Sequence, residues 1–313
     1  MGGEITKGME ERAEKVQINF AKGILGLPAR GVSDDFVRAE LGIERLTARW
    51  DKLRLGYWHK LQTAKPDRAV AKVMKWRKRT LAQAGGDSMG WLQTSQAVFE
   101  KYGLTDEWND PHSGTHKEDW KRKCYAAVDA RETTEARARL ESMGPSLQLY
   151  GSKLKSWNPT PAPYAAYVGE VGRHGARVVE RYLDGWSGPL GTKLKQLCRG
   201  GLLPTLAKVG RHRGWAEDMQ VCQMCSQGVK ETQRHVLMEC DRYRVYRQRT
   251  DTILAGMTPE ARYAKLLGMR SGDAGADALV DSATKRMLEE IWKERRKLTQ
   301  SINEIFDRQD LVG

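Results

Sequence analysis

The sequence predicts an all-α protein, a multi-helix array with one small zinc-bound CCHC knuckle toward its C-terminal end. Three observations carry that expectation. Apolar residues recur at helical spacing through most of the chain, strand-type alternation is scarce, and a single Cys/His constellation interrupts the pattern. Residues 9–27 read as a first helix with Val16, Phe20 and Ile24 on its apolar stripe, ended by Leu27-Pro28. Residues 33–62 read as one long amphipathic helix. Ser33 is placed to cap it, Asp34 and Asp35 suit the positive end of its dipole, and Val37, Leu41, Leu46, Trp50, Leu53, Tyr57 and Leu61 form the stripe. Trp50 and Trp58 are expected in the core. A third helix starts near Pro66, a favourable first position, and runs to Gly85-Gly86. Further helices are expected over 88–103 and 116–142.

Residues 143–163 hold Gly144, Pro145, Gly151, Pro159, Pro161 and Pro163, which makes 144–163 the natural linker between a helical region 1–143 and a region 164–250. Helical spacing resumes over 164–183, followed by Gly-rich turns at 185–191 and 200–201. The region 251–313 ends in a helix over 279–307. Its stripe is Val280, Ala283, Met287, Ile291, Leu298, Ile302 and Ile305, with Lys285, Arg286, Lys293, Arg295, Arg296 and Lys297 on the other face.

The chain has 313 residues and a net charge of +13, and ten Trp and ten Tyr argue against wholesale disorder. No apolar run is long enough to span a membrane and the N-terminal residues lack a signal-peptide core, so an intracellular protein, nuclear or cytoplasmic, with reduced cysteines is expected. The positive charge falls in two blocks. Residues 1–80 carry 18 basic against 10 acidic groups and residues 151–250 carry 17 against 8, while 81–150 and 251–313 are slightly acidic. Clustered positive charge suits a phosphate backbone, because each neutralised phosphate releases condensed counterions. RNA, DNA or both are therefore the expected partners; the plainer reading is a solubilising surface.

The Cys/His constellation is Cys222-x2-Cys225-x9-His235-x4-Cys240. Three thiolates and one imidazole complete a closed tetrahedral zinc shell of the structural kind, with no open position for a reacting water. Cys222-x2-Cys225 forms a short turn, Gly228 breaks the chain after it, and Glu231 to Cys240 reads as a short helix. His235 and Cys240 stand just over one turn apart. The rival reading is three buried free thiols beside a core histidine. Cys124 and Cys198 read as reduced structural thiols, and His59, His112, His116 and His174 have no partners at ligand spacing.

Two basic stretches are candidate nucleic-acid contacts. In the third helix, Lys75, Trp76, Arg77, Lys78 and Arg79 combine a stacking surface with cations; alternatively Trp76 packs beneath the helix. Around the knuckle, Lys208, Arg211 and Arg213 precede the first cysteine, and Arg242, Tyr243, Arg244, Tyr246 and Arg247 follow the last. The rival reading there is that the two tyrosines dock the following helix.

The CxxC followed by Glu231-Thr232, His235, Leu237, Cys240, Tyr243 and Arg247 resembles the C-terminal zinc-binding region of non-LTR retrotransposon reverse transcriptases. Arg199-Gly200-Gly201-Leu202-Leu203-Pro204-Thr205 resembles the R-x-G-x-L element that precedes that module. Pro145 to Tyr150 and Tyr164 to Tyr167 are similar to its connector, and Ile24 to Pro28 with Arg38-Ala39-Glu40-Leu41-Gly42 is similar to thumb-like helices. The resemblance spans residues 5–265 and implies a thumb-connector-knuckle array that grips nucleic acid beside a polymerase domain supplied in cis or in trans. The aromatic-x-Asp-Asp pair of a polymerase palm is missing, as is the Pro-Asp signature of the associated nuclease: after Cys240 the only proline is Pro259, followed by Glu260. A non-catalytic binding module is therefore expected. The alternatives are a helical protein-interaction or scaffold module using residues 262–313, and a degenerate element without retained activity.

Overall fold

A computed structural model describes residues 7–83, 90–109, 116–143, 147, 181–183, 189–269, 271 and 273–298. Among them the protein is mostly helical and has no strand, only an isolated bridge between Val221 and Lys230. The helices are α1 (Lys7–Ile24), α2 (Asp34–Leu41), α3 (Leu46–Gln62), α4 (Ala69–Gln83), α5 (Trp91–Lys101), α6 (Thr105–Asn109), α7 (Lys117–Glu141), α8 (Pro189–Arg199), α9 (Leu206–Arg213), α10 (Arg244–Ile253), α11 (Pro259–Leu266) and α12 (Ala274–Leu298). Among the described residues no helix is long and apolar enough to cross a membrane. The 144–163 linker and the 164–183 helix lie outside the described residues except for Leu147 and 181–183.

The chain divides into two compact units. Among the described residues the first comprises 7–20, 43–83, 90–109 and 116–137, and the second 21–42, 138–143, 147, 181–183, 189–269, 271 and 273–298. The first unit is built on aromatic packing. Trp58 is fully buried, stacks on Trp108 at 4.0 Å between centroids and meets Phe99 edge-on at 5.6 Å. Trp120 donates its indole N–H to the Leu55 carbonyl at 2.9 Å, which gives a buried polar group its partner.

In the second unit α8 lies close against α12. A Cβ at Gly191 would stand 2.6 Å from the Lys285 carbonyl oxygen, so this approach requires glycine. Leu194, Met287, Ile291 and Trp292 fill the core with Cys198, Cys222, Cys240 and Tyr243. Residues 21–42 belong here because Glu40 and Arg199, both buried, form a bidentate ion pair whose closest contact is 2.7 Å.

Several sequence expectations need correcting. The 33–62 helix is two helices, since Gly42 takes φ 62° and caps α2 in the left-handed region. The Ser33 cap is present, accepting from Phe36 N at 3.3 Å. In α1 the side chains turned inward are Ile18 and Ala21, while Val16, Phe20 and Ile24 are exposed. The helix carries two apolar stripes on opposite sides, and periodicity alone cannot choose between them. Trp58 is core, whereas Trp50 is half-buried and Leu53 and Tyr57 are exposed. The basic face expected on α12 is only partly a surface. Lys285 is buried and donates to the Tyr182 carbonyl at 2.5 Å, and Arg295 is buried against Glu231 at 2.7 Å.

Candidate metal centre

Thr205 caps α9 by accepting from Lys208 N at 3.3 Å, and α9 ends at Gly214 in the left-handed region. The chain then forms a narrow hairpin. Glu231 N donates to Gln220 O and Cys222 N to Val229 O, both at 2.8 Å. The corner between them is Gly228 at φ 65°, a conformation that costs side-chain-bearing residues. This hairpin turns Cys222 and Cys225 toward one point.

The other two candidate ligands come from the turn that follows. Thr232 Oγ1 accepts from His235 N at 3.1 Å and starts it. The segment His235–Glu239 is then a π-turn rather than the expected α-helix, with Cys240 N donating to His235 O at 2.8 Å. Its geometry explains the spacing of five. In an α-helix residues five apart point about 140° from each other, and the wider π-turn brings His235 and Cys240 onto one side.

The four ligand atoms lie within 4.8 Å of one another, with Cys222 Sγ 3.9 Å from Cys240 Sγ and Cys225 Sγ 3.5 Å from His235 Nε2. A tetrahedral shell with metal–sulfur bonds of about 2.3 Å has sulfur–sulfur edges of about 3.8 Å. The distances therefore fit one ion at the centre of the group. Cys222, His235 and Cys240 are buried and Cys225 is half-exposed; none of the cysteines is in a disulfide. The hydrogen shared between the paired sulfurs pushes the Cys222 thiol up and holds Cys240 down, while burial lowers His235 and keeps its imidazole neutral. A neutral imidazole is the form that ligates metal.

The surrounding side chains hold the ligands in place. Arg247 donates to the Cys240 carbonyl at 2.7 Å. Glu231, almost fully buried, accepts from Leu206 N and from Arg295 Nη2, both at 2.7 Å, and so ties the hairpin to α9 and α12. Gln233 donates to the Cys198 carbonyl at 2.9 Å. The Glu231–Arg295 and Glu40–Arg199 pairs escaped sequence reasoning. Glu40, Arg199 and Glu231 fall in fragments that carry the resemblance, whereas Arg295 stands in the sequence only as one of the cations on the basic face of the last helix.

The other site residues expected from the sequence divide into three groups. Tyr243 and Arg247 are buried within the knuckle, which corrects their reading as nucleic-acid contacts: Tyr243 docks the chain that follows, and Arg247 is spent on a carbonyl. Arg242 is paired with Glu294, Tyr246 is half-buried and Lys208 is half-buried. Arg211, Arg213 and Arg244 are exposed, and none forms an ion pair among the described residues. Arg213 also lies over the Trp215 ring at 5.9 Å. Lys75, Trp76, Arg77, Lys78 and Arg79 lie on α4, which belongs to the first unit.

Among the described residues, the fold and site together define a mostly helical protein with one Cys3His group that could hold a single metal ion. Comparison with protein-family models, curated proteins and solved structures found no match to the chain.

Proposed function

We propose that this chain is a non-catalytic, zinc-stabilised nucleic-acid-binding module. It would act beside a polymerase domain supplied in cis or in trans, as the C-terminal part of a retroelement reverse transcriptase does. Zinc is the ion the donors favour, since three soft thiolates and an imidazole at tetrahedral distances match its structural sites. Four protein ligands leave no position for a reacting water, so the ion's role is to hold the hairpin against the π-turn.

The observation that carries the binding reading is the free basic surface on the helices flanking the ligands. Arg211 and Arg213 at the end of α9 and Arg244 at the start of α10 are exposed without acidic partners. The surrounding block 151–250 has 17 basic against 8 acidic residues. The test is fluorescence anisotropy of the zinc-loaded protein with RNA, single-stranded DNA and duplex DNA across a salt series. Replacing Arg211, Arg213 and Arg244 together by Ala should weaken binding and flatten the salt slope by about 2 to 3. Absence of wild-type binding at low salt defeats the reading.

A second reading, a helical protein-interaction module, is favoured by a different surface from the one expected in 262–313. The α12 stripe of Val280, Ala283, Met287 and Ile291 is buried, whereas α1 leaves Met9, Val16, Phe20 and Ile24 each more than half exposed.

A further inference from the structure

Helix α4 carries Lys72, Lys75, Arg77, Lys78 and Arg79 and no acidic residue. Most surface helices intersperse both signs. Lys72, Lys75, Arg77 and Arg79 are exposed and make no ion pair among the described residues. Lys78 behaves differently. It is half-buried, donates to Gln62 Oε1 at 3.1 Å and lies 4.9 Å from the Trp58 ring, inside the aromatic core. Burial also lowers its pKa. Together with buried Met74, Lys78 anchors the inner side of the helix and thereby fixes which residues face outward.

The residue presented outward is Trp76, which is 63% exposed, whereas Trp58 and Trp120 in the same unit are at most 1% exposed. Trp76 therefore does not pack beneath the helix. With about 100° between successive helical residues, Lys72 and Arg79 lie about 40° and 60° from Trp76 on one side. Val73 lies about 60° away on the other, and Lys75 and Arg77 flank the face at about 100°. The exposed indole thus has Lys72 and Arg79 on one side, Val73 and Thr80 on the other, and Lys75 and Arg77 at its flanks, and none of these four cations forms an ion pair among the described residues.

We infer that α4 is a second nucleic-acid-binding element, selective for unpaired strands, in which Trp76 stacks on a base and Lys72, Lys75, Arg77 and Arg79 hold the flanking phosphates. This rests on the nucleic-acid reading proposed above and adds a separate site in the first unit. Charge complementarity selects a polyanion. The indole selects an unpaired strand, because every base offers a π-face to an aromatic side chain only when it is free of its own stack. A membrane surface fits less well. An interfacial helix needs a broad apolar face, and here cations interrupt that face within one helical turn of Trp76. A partner helix fits less well for the same reason, since it needs an uninterrupted apolar seam.

The experiment uses the full zinc-loaded chain with a fluorescein-labelled oligothymidylate and a duplex of matched length, and anionic phosphatidylserine vesicles as a third arm. Trp76→Ala should weaken oligothymidylate binding about 5- to 100-fold. Its salt slope, duplex affinity and melting temperature should stay unchanged, and Trp76→Phe should restore most of the loss. Replacing the four exposed cations by Gln should flatten the single-strand salt slope by about 3.

Unchanged oligothymidylate affinity in Trp76→Ala overturns the inference, and so does a Trp76-dependent gain on vesicles without one on the oligonucleotide. The knuckle and α4 can fail separately. If the Arg211/Arg213/Arg244 variant loses binding and the α4 variants do not, only the inference falls. If the α4 variants lose binding and the knuckle variant does not, the inference stands and the knuckle loses its assigned surface. Absence of wild-type binding overturns both.

Discussion

Glu40 and Arg199 stand 159 positions apart and are both almost fully buried, with Arg199 donating three N–H contacts to the carboxylate at 2.7 to 3.2 Å. Tyr182 also donates to Glu40, and the remaining guanidinium edge reaches the Leu267 carbonyl at 2.8 Å. Each ion loses its hydration on burial, and these contacts offset a cost of several kcal/mol per charge. Removing one partner leaves the other charged in the core. Arg199→Met should therefore cost about 3–5 kcal/mol, read from urea unfolding. The double replacement with Glu40→Leu should cost less than the sum of the two single ones. A single-variant loss near zero would mean that water reaches the pair. Neither residue stood out by composition or spacing. Glu40 sat in an A-E-L-G fragment and Arg199 in an R-x-G-x-L fragment, and local periodicity carries no information about a contact 159 residues away. The buried Glu231–Arg295 pair was hidden in the same way: Arg295 looked like part of a solvated basic face.

Among whole elements, the long helices with strong apolar spacing were legible, and so were the four candidate metal ligands. The missing parts have physical causes. The short helices α6, α9 and α11 present too few turns for a period to show. The Gly42 break in 33–62 is easily overlooked because spacings of three to five all pass as roughly helical, yet the step of five from Leu41 to Leu46 turns the stripe by about 140° at that point. The π-turn is missed because five residues count as just over one α-helical turn along the axis, although in an α-helix that spacing leaves the two side chains about 140° apart and only the wider turn brings them together. The hairpin corner gives a direct test of this backbone control. Gly228 has φ 65° and open space where a Cβ would go. Substitution there meets conformational strain without a clash, so Gly228→Val should destabilise the knuckle by about 1–2 kcal/mol. Gly228→Asn, which tolerates the left-handed region, should cost clearly less. Zinc affinity measured by competition with a chromophoric chelator should follow the same order. Equal losses for Val and Asn would point to sterics in place of backbone conformation.

The molecule as a whole has two cores of different kinds, and its five cysteines report on them separately. Cys222, Cys240 and Cys198 belong to the core of the second unit, with Cys225 at its edge, whereas Cys124 is fully buried among the aromatic residues of the first. A metal that binds only the folded knuckle contributes its binding free energy to folding. Its removal should loosen the second core, which includes two ligand cysteines, without touching the first. Treatment with excess chelator at pH 8 should therefore make four thiols reactive toward a disulfide reagent while Cys124 stays protected. Near-UV circular dichroism from the stacked Trp58 and Trp108 should persist. Simultaneous reaction of all five thiols would show that the chain unfolds as one cooperative body. Protection of all five would remove the metal from its structural role. Cys124 adds a pH signature in the opposite direction from acid unfolding. Burial pushes its thiol up from 9.0 to about 12. In that interval the folded state keeps the proton and the unfolded chain loses it, so this contribution is complete below pH 9 and is lost as the pH rises toward 12. The stability advantage of the wild type over Cys124→Ser, measured on the transition of the first unit, should accordingly shrink between pH 9 and 12. A constant difference across that range would mean that the thiol is open to solvent in the folded protein.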